Sequence, residues 1–151
     1  MITECEGYAR LLTELRTQII DILREVPADQ LNARPIEGDS HETNSLAVLA
    51  SHVAGAEYHW LSEVVGQGEW VRNRPDEFVE NVKDASGLIN KIEQTAAASE
   101  KVLSSLTERD LLGERERGGR TFPVRWCILH AIEHTALHLG HMQLTHQMIM
   151  S

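Results

Sequence analysis

Apolar residues recur through Tyr8, Leu11, Leu12, Leu15, Ile19, Ile22, Leu23 and Val26, the spacing of one buried face of an α-helix. Thr3 and Glu6 stand ahead of them in the spacing of a capping box. Pro27, Pro35 and Gly38 break the pattern, and a polar connection runs to about Asn44. Ser45 or a neighbour is placed to cap a second helix that runs to about Val65, where Gly66 and Gly68 end it. After Pro75, Asp76 is placed to cap a long third helix carrying Phe78, Val82, Leu88, Ile89, Ile92, Val102, Leu103 and Leu106. Residues 107–120 read as a charged loop ending in Gly118-Gly119. Thr121, before Phe122 and Pro123, reads as the cap of a fourth helix reaching about Ile149. No segment shows a period of two flanked by hairpin turns. Four amphipathic segments predict an all-α four-helix bundle.

The 151 residues are enough to bury one continuous core, so residues 1–151 are expected to form a single domain. Cys5 and Cys127 are too few and too far apart for a disulfide framework, which fits a reducing cytoplasm. The start, MITECEGYAR, has no basic stretch leading into an apolar one. No apolar run approaches the roughly 20 residues of a bilayer span. A soluble, unexported protein with no membrane partner is the expectation. The 23 acidic and 14 basic side chains leave a formal charge of −9, which repels a phosphate backbone and argues against nucleic acid as a partner. The one arginine-dense stretch, GERERGGR at 113–120, alternates its arginines with glutamates and reads as solvated.

The histidines change the picture. Five of the eight, His130, His134, His138, His141 and His146, fall on the predicted last helix. At about 100° per residue, with His134 at zero, His130 lies near −40°, His138 near +40° and His141 near −20°. Cys127 and Ala131 share that stripe, which is therefore expected to face inward. His134 and His138 are an i, i+4 pair, whose Cβ atoms lie about 5–6 Å apart, close enough to share an ion about 2.0–2.1 Å from each nitrogen. The predicted second helix offers His52 and His59 as a third ligand; roughly 10 Å of axial rise separates them, so only one can join. Thr135 rather than glutamate follows His134, so the HExxH pattern and its general base are absent. Imidazoles on an inward stripe are costly to bury without partners, and a divalent ion is a common partner for several of them.

The stretch RWCILHAIEHTALHLGHMQ at 125–143 resembles the last-helix signature of the DinB-like superfamily, particularly its branch related to bacterial low-molecular-weight thiol transferases. LAVLASHVAGAEYHWL at 46–61 is similar to the family's segment in which a histidine follows a short apolar run and precedes an acidic residue and an aromatic. The resemblance implies a four-helix bundle holding a divalent metal on His52, His134 and His138. His141 matches the second histidine of the family's HxGH ending and is read as lining the pocket. Gln143 and His146 stand where many relatives carry an acidic residue and an arginine, so substrate contacts at those positions do not carry over.

Three neutral imidazoles leave an ion such as zinc or nickel with open positions, as in catalytic sites. Imidazole suits copper and iron as well. The resemblance implies activation of a small thiol cofactor of the mycothiol or bacillithiol type for transfer to an electrophile or for isomerisation. The alternative is a non-catalytic metal-binding bundle with a structural or sensor role; a third reading is a plain helical interaction protein with hydrogen-bonded core histidines. Glu57, Glu133, His59 and His141 are candidates for acid–base or orienting work, and the glutamates read equally as supporting or surface carboxylates. Trp60 and Trp126 are candidates to wall the cofactor pocket, although aromatics at this spacing also serve as core. Cys127 reads as a buried small hydrophobe. Pairing of two copies is an expectation from the family, with the apolar Val64-Val65 strip as a contact.

Overall fold

A computed structural model describes residues 1–36 and 43–151; the predicted break at Gly38 lies outside them. Four long helices form the frame: α1 (Thr3–Glu25), α2 (Leu46–Glu57), α4 (Ser86–Ser105) and α6 (Val124–Ile149). Among the described residues, a 3-10 turn at Ala28–Gln30, two single-turn α-helices, α3 (Arg74–Glu77) and α5 (Glu108–Leu111), and a hairpin, β1 (Glu114–Arg117) with β2 (Arg120–Pro123), lie in the connections. Among the described residues, α1 packs on α4 and α6, and α2 packs on the same two. Helices consecutive in sequence, α1 and α2, thus face each other across the bundle. No helix among the described residues is long and apolar enough to cross a membrane.

Each helix follows from its residues. Leu12, Ile19, Ile22 and Leu23 of α1 are buried as their period demands, whereas Leu11 faces solvent. The capping box at Thr3 does not form: the helix starts at Thr3 itself, after Ile2, with no side-chain cap. Ser45 does cap α2, its Oγ accepting the Val48 N–H at 3.1 Å. All of α2 is buried, consistent with a run that is apolar nearly all round. It continues without a break into a π-helical stretch, Tyr58–Val65, closed by the Gly66 N–H donating to the Leu61 carbonyl. Val64 and Val65 are fully buried there, so they offer no surface for a second copy.

The expected long third helix is two elements. Asp76 lies inside the short α3 rather than capping a long helix. The Asn32 side chain takes both backbone groups of Val82, accepting from its N–H at 3.0 Å and donating to its carbonyl at 2.7 Å. Asp84 accepts the Ser86 N–H where α4 begins. The tertiary hydrogen bonds to Asn32 hold residue 82 out of a helix. The charged loop is likewise structured. Thr107 and Asp110 form a reciprocal capping box on α5, and Gly118 and Gly119, at φ +58° and +75°, make the two-residue turn of the hairpin. Two consecutive positive-φ residues match the right-handed twist of paired strands. Thr121 belongs to β2, and α6 starts after Pro123 with no side-chain cap. The hairpin's arginines reach back: Arg115 donates to the Val65 carbonyl at 3.2 Å, and Arg117 donates to that of Gly68.

Two apolar clusters fill the bundle, one around Ile19, Leu49, Ile92 and Met142, the other around Leu12, Leu61, Leu103 and Ile128. Arg16 and Glu57, both buried, form an ion pair that Ser99 joins through Oγ at 2.6 Å from the same carboxylate oxygen.

Candidate metal centre

A histidine on an entirely buried helix must find partners for both ring nitrogens. His52 is 6% exposed and has two. Its Nδ1 lies 3.3 Å from a Glu77 carboxylate oxygen, and its Nε2 lies 3.0 Å from Nε2 of His134 on α6. His138, one turn further along α6, brings its ring centroid to 4.8 Å from that of His52 and 4.4 Å from that of His134. One donor nitrogen of each of His52, His134 and His138 lies within 4.8 Å of the others. An ion with bonds of about 2.0–2.1 Å needs donors no more than about 4 Å apart, so ring shifts on the order of 1 Å bring the three together.

The electrostatics suit a cation. Burial holds the His134 imidazole down at about 3, helped by charge on His138 and His52. Burial likewise lowers His138 to about 4, with His52 and His141 adding to the shift. Both rings are therefore neutral at pH 7, the form that presents a lone pair to a metal. His134 Nδ1 is buried with no hydrogen-bond partner among the described residues. The residues present thus fit a divalent ion: three imidazoles from two helices, one of them backed by a carboxylate.

The surroundings come from the end of the predicted second helix, the connection after Gly68 and the start of the predicted third helix. Glu63, fully buried, accepts the N–H groups of Val71 and Arg72 at 2.7 Å each and meets His59 Nδ1 at 2.6 Å. Burial opposes its ionisation, but these hydrogen bonds outweigh burial and hold its carboxyl below the usual range. Arg72 then reaches Glu77, donating from Nη2 at 2.7 Å and from Nε at 3.1 Å to the other oxygen. Burial also opposes ionisation of Glu77, and bonds from His52 and Arg72 again prevail and lower it. The Phe78 ring lies 5.1 Å from His52. Glu77 is also part of the wall of a cavity of about 310 Å³ shared by Gly55, Tyr58, Arg72 and Lys91, which none of the three histidines lines.

Of the residues singled out by pattern, His52, His134 and His138 come together and His59 turns away to Glu63. His141 is exposed, with Nδ1 3.2 Å from Nδ1 of His138. The histidine stripe lies at the margin of the core rather than inside it: Cys127 and Ala131 are buried, but His130, His134 and His138 are half-buried. Trp60 sits edge-on to Phe122, Trp126 and His130, and His130 stacks on Trp126 at 4.7 Å. This aromatic group adjoins the triad through His130, whose centroid is 6.1 Å from that of His134. Glu57 is committed to Arg16 in the core. Glu133 is on the surface, 3.5 Å from His130. Cys127 is fully buried, and burial pushes its thiol up to about 11, the profile of an unreactive core residue. Glu77, Arg72 and Glu63 carried no signal in the sequence beyond the requirement that a buried histidine have a partner.

A family model described as mycothiol-S-transferase matches residues 8–150. No curated protein matches the chain at a significant level. Among solved structures, the chain is similar to a conserved protein from Enterococcus faecalis, with a TM-score of 0.81 and 13% identity over 99% of both chains. It is also similar to a DinB-like protein from Bacillus cereus, with a TM-score of 0.71 and 18% identity, covering 93% of this chain and 89% of that one. At these identities the two likenesses show the fold.

Proposed function

The chain belongs to the mycothiol-S-transferase family, within the DinB-like superfamily, and from that membership we propose that it is a metal-dependent transferase, acting as one domain, that joins a small thiol to an electrophile. The observation that carries this reading is the convergence of His52, His134 and His138, with donor atoms within 4.8 Å of one another. These three are the proposed ligands of a divalent ion, zinc or nickel. When bound, such an ion lowers the pKa of a coordinated thiol and keeps it nucleophilic at neutral pH.

The chain's own residues supply the rest. Burial keeps His134 and His138 neutral and available as ligands. His52 meets Glu77 through Nδ1 and turns its Nε2 toward His134. His141, beside His138, and Trp60, in the aromatic group reached through His130, are the proposed contacts for the thiol cofactor. His130 and Trp126 continue that wall. Neither Glu57 nor Cys127 takes part, since both are enclosed in the core.

The test is elemental analysis of untagged protein purified without added metal, wild type against His134→Ala. About one divalent ion per wild-type chain and loss of it in the variant support the triad. The loaded protein is then assayed for transfer of mycothiol or bacillithiol to a chromogenic electrophile. Metal that stabilises the fold without any thiol transfer supports the structural or sensor role instead. Wild-type protein that takes up neither zinc nor nickel overturns the metal reading.

A further inference from the structure

A neutral imidazole has one N–H and one lone pair, and the partner of one nitrogen decides which the other presents. In water the proton of a neutral histidine prefers Nε2. At His52 that preference would put the proton on the nitrogen that faces His134. A carboxylate can only accept, so Glu77, 3.3 Å from His52 Nδ1, calls for the proton there, which in the neutral ring leaves Nε2 bare. We infer that Glu77 is a positioning residue, which sets the tautomer and ring orientation of His52, and that Gly55 and Arg72 exist to seat it.

Three observations carry this. Glu77 is 3% exposed, too deep for a carboxylate without a purpose-built environment. It reaches His52 through a gap in the surface of α2: a Cβ at Gly55 would lie 2.5 Å from Glu77 Oε2 and 2.7 Å from its Cδ. A glycine in the middle of a helix costs about 1 kcal/mol relative to alanine, so its presence there has the carboxylate as its reason. Arg72 balances the charge with a fork on both carboxylate oxygens, and its backbone is tied to α2's continuation by Glu63. Two buried carboxylates thus dock one connecting segment against the helix that carries His52.

This inference rests on the metal reading above, and the experiment separates the two. Zinc affinity is measured by competition with a chelator for wild type, Glu77→Ala, Glu77→Gln and Gly55→Ala, each with helical content checked by circular dichroism. In parallel, the His52 tautomer is read from ring-nitrogen chemical shifts of the metal-free proteins. Glu77→Ala is expected to weaken zinc binding by about 10- to 100-fold and to move the His52 proton toward Nε2. Gly55→Ala is expected to do the same, because the added methyl displaces the carboxylate while improving the helix. Glu77→Gln keeps an acceptor for Nδ1–H and is expected to recover most of the affinity. Unchanged affinity and tautomer in Glu77→Ala and Gly55→Ala would overturn the inference, as would a Gln variant as impaired as the Ala one. If wild type binds no zinc, the metal reading fails, while the tautomer shift in the metal-free proteins still decides the role of Glu77.

Discussion

Replacing Arg16 by methionine isolates the buried ion pair that joins α1 to α2. The Arg16 side chain is about one-tenth exposed and Glu57 is 1% exposed. After the substitution the carboxylate keeps Ser99 as its partner, with Oγ at 2.6 Å, and no countercharge. Removing one member of a buried pair costs about 3–5 kcal/mol. For a chain of this size that corresponds to a fall in Tm of roughly 6–20 °C, at about 2–4 °C per kcal/mol. The pH dependence gives the sharper signature. Burial raises the Glu57 pKa, with Arg16 and Ser99 pulling against it, so loss of Arg16 raises it further. A carboxyl whose folded pKa exceeds its unfolded value contributes its full stability below the unfolded value, about 4.3, and loses it as pH rises through the folded value. The deficit of Arg16→Met should therefore be largest at pH 7–8 and narrow steadily toward pH 5. Urea unfolding of wild type and variant across that range measures it. The double variant Arg16→Met, Glu57→Leu should recover most of the loss, since an apolar replacement leaves no charge behind. A deficit below about 1 kcal/mol at pH 7, or one that grows as pH falls, would refute the reasoning.

Three further outcomes follow from local features. Gly119 sits at φ +75° with open space around it, so Gly119→Ala should lose about 1–2 kcal/mol from left-handed backbone strain alone; an unchanged urea midpoint would contradict this. Thr107→Ala removes the reciprocal cap of α5 and should cost about 1 kcal/mol, with faster amide exchange at Asp110 as the local readout. Cys5 and Cys127 are fully buried and burial raises both thiols. Neither should react with iodoacetamide in the native protein at pH 8, and both should react in denaturant; native labelling at either would show that the core opens there.

What the sequence determined is local. The helical period placed α1, α2 and α6, and the i, i+4 spacing of His134 and His138 placed two imidazoles on adjacent turns of one face, because both patterns are properties of a single helix. Ser45 capped its helix as its position predicted. The spacing of His52 and His59 excluded a site using both, but did not choose between them. Tertiary structure made the other decisions, because each depends on a partner distant in sequence. Asn32 interrupts the predicted third helix by taking the backbone of Val82, fifty residues on. The hairpin has no signature in the sequence because charged residues on both faces of Glu114–Arg117 leave no apolar alternation, and its arginines are held by the carbonyls of Val65 and Gly68. His52 prevailed over His59 because packing sets it against His134 on α6, whereas His59 meets Glu63 one turn along its own helix. Glu77 reached His52 only because the fold set it against the bare backbone of Gly55. Periodicity reports which face of a helix is buried; what that face meets is settled when the helices pack.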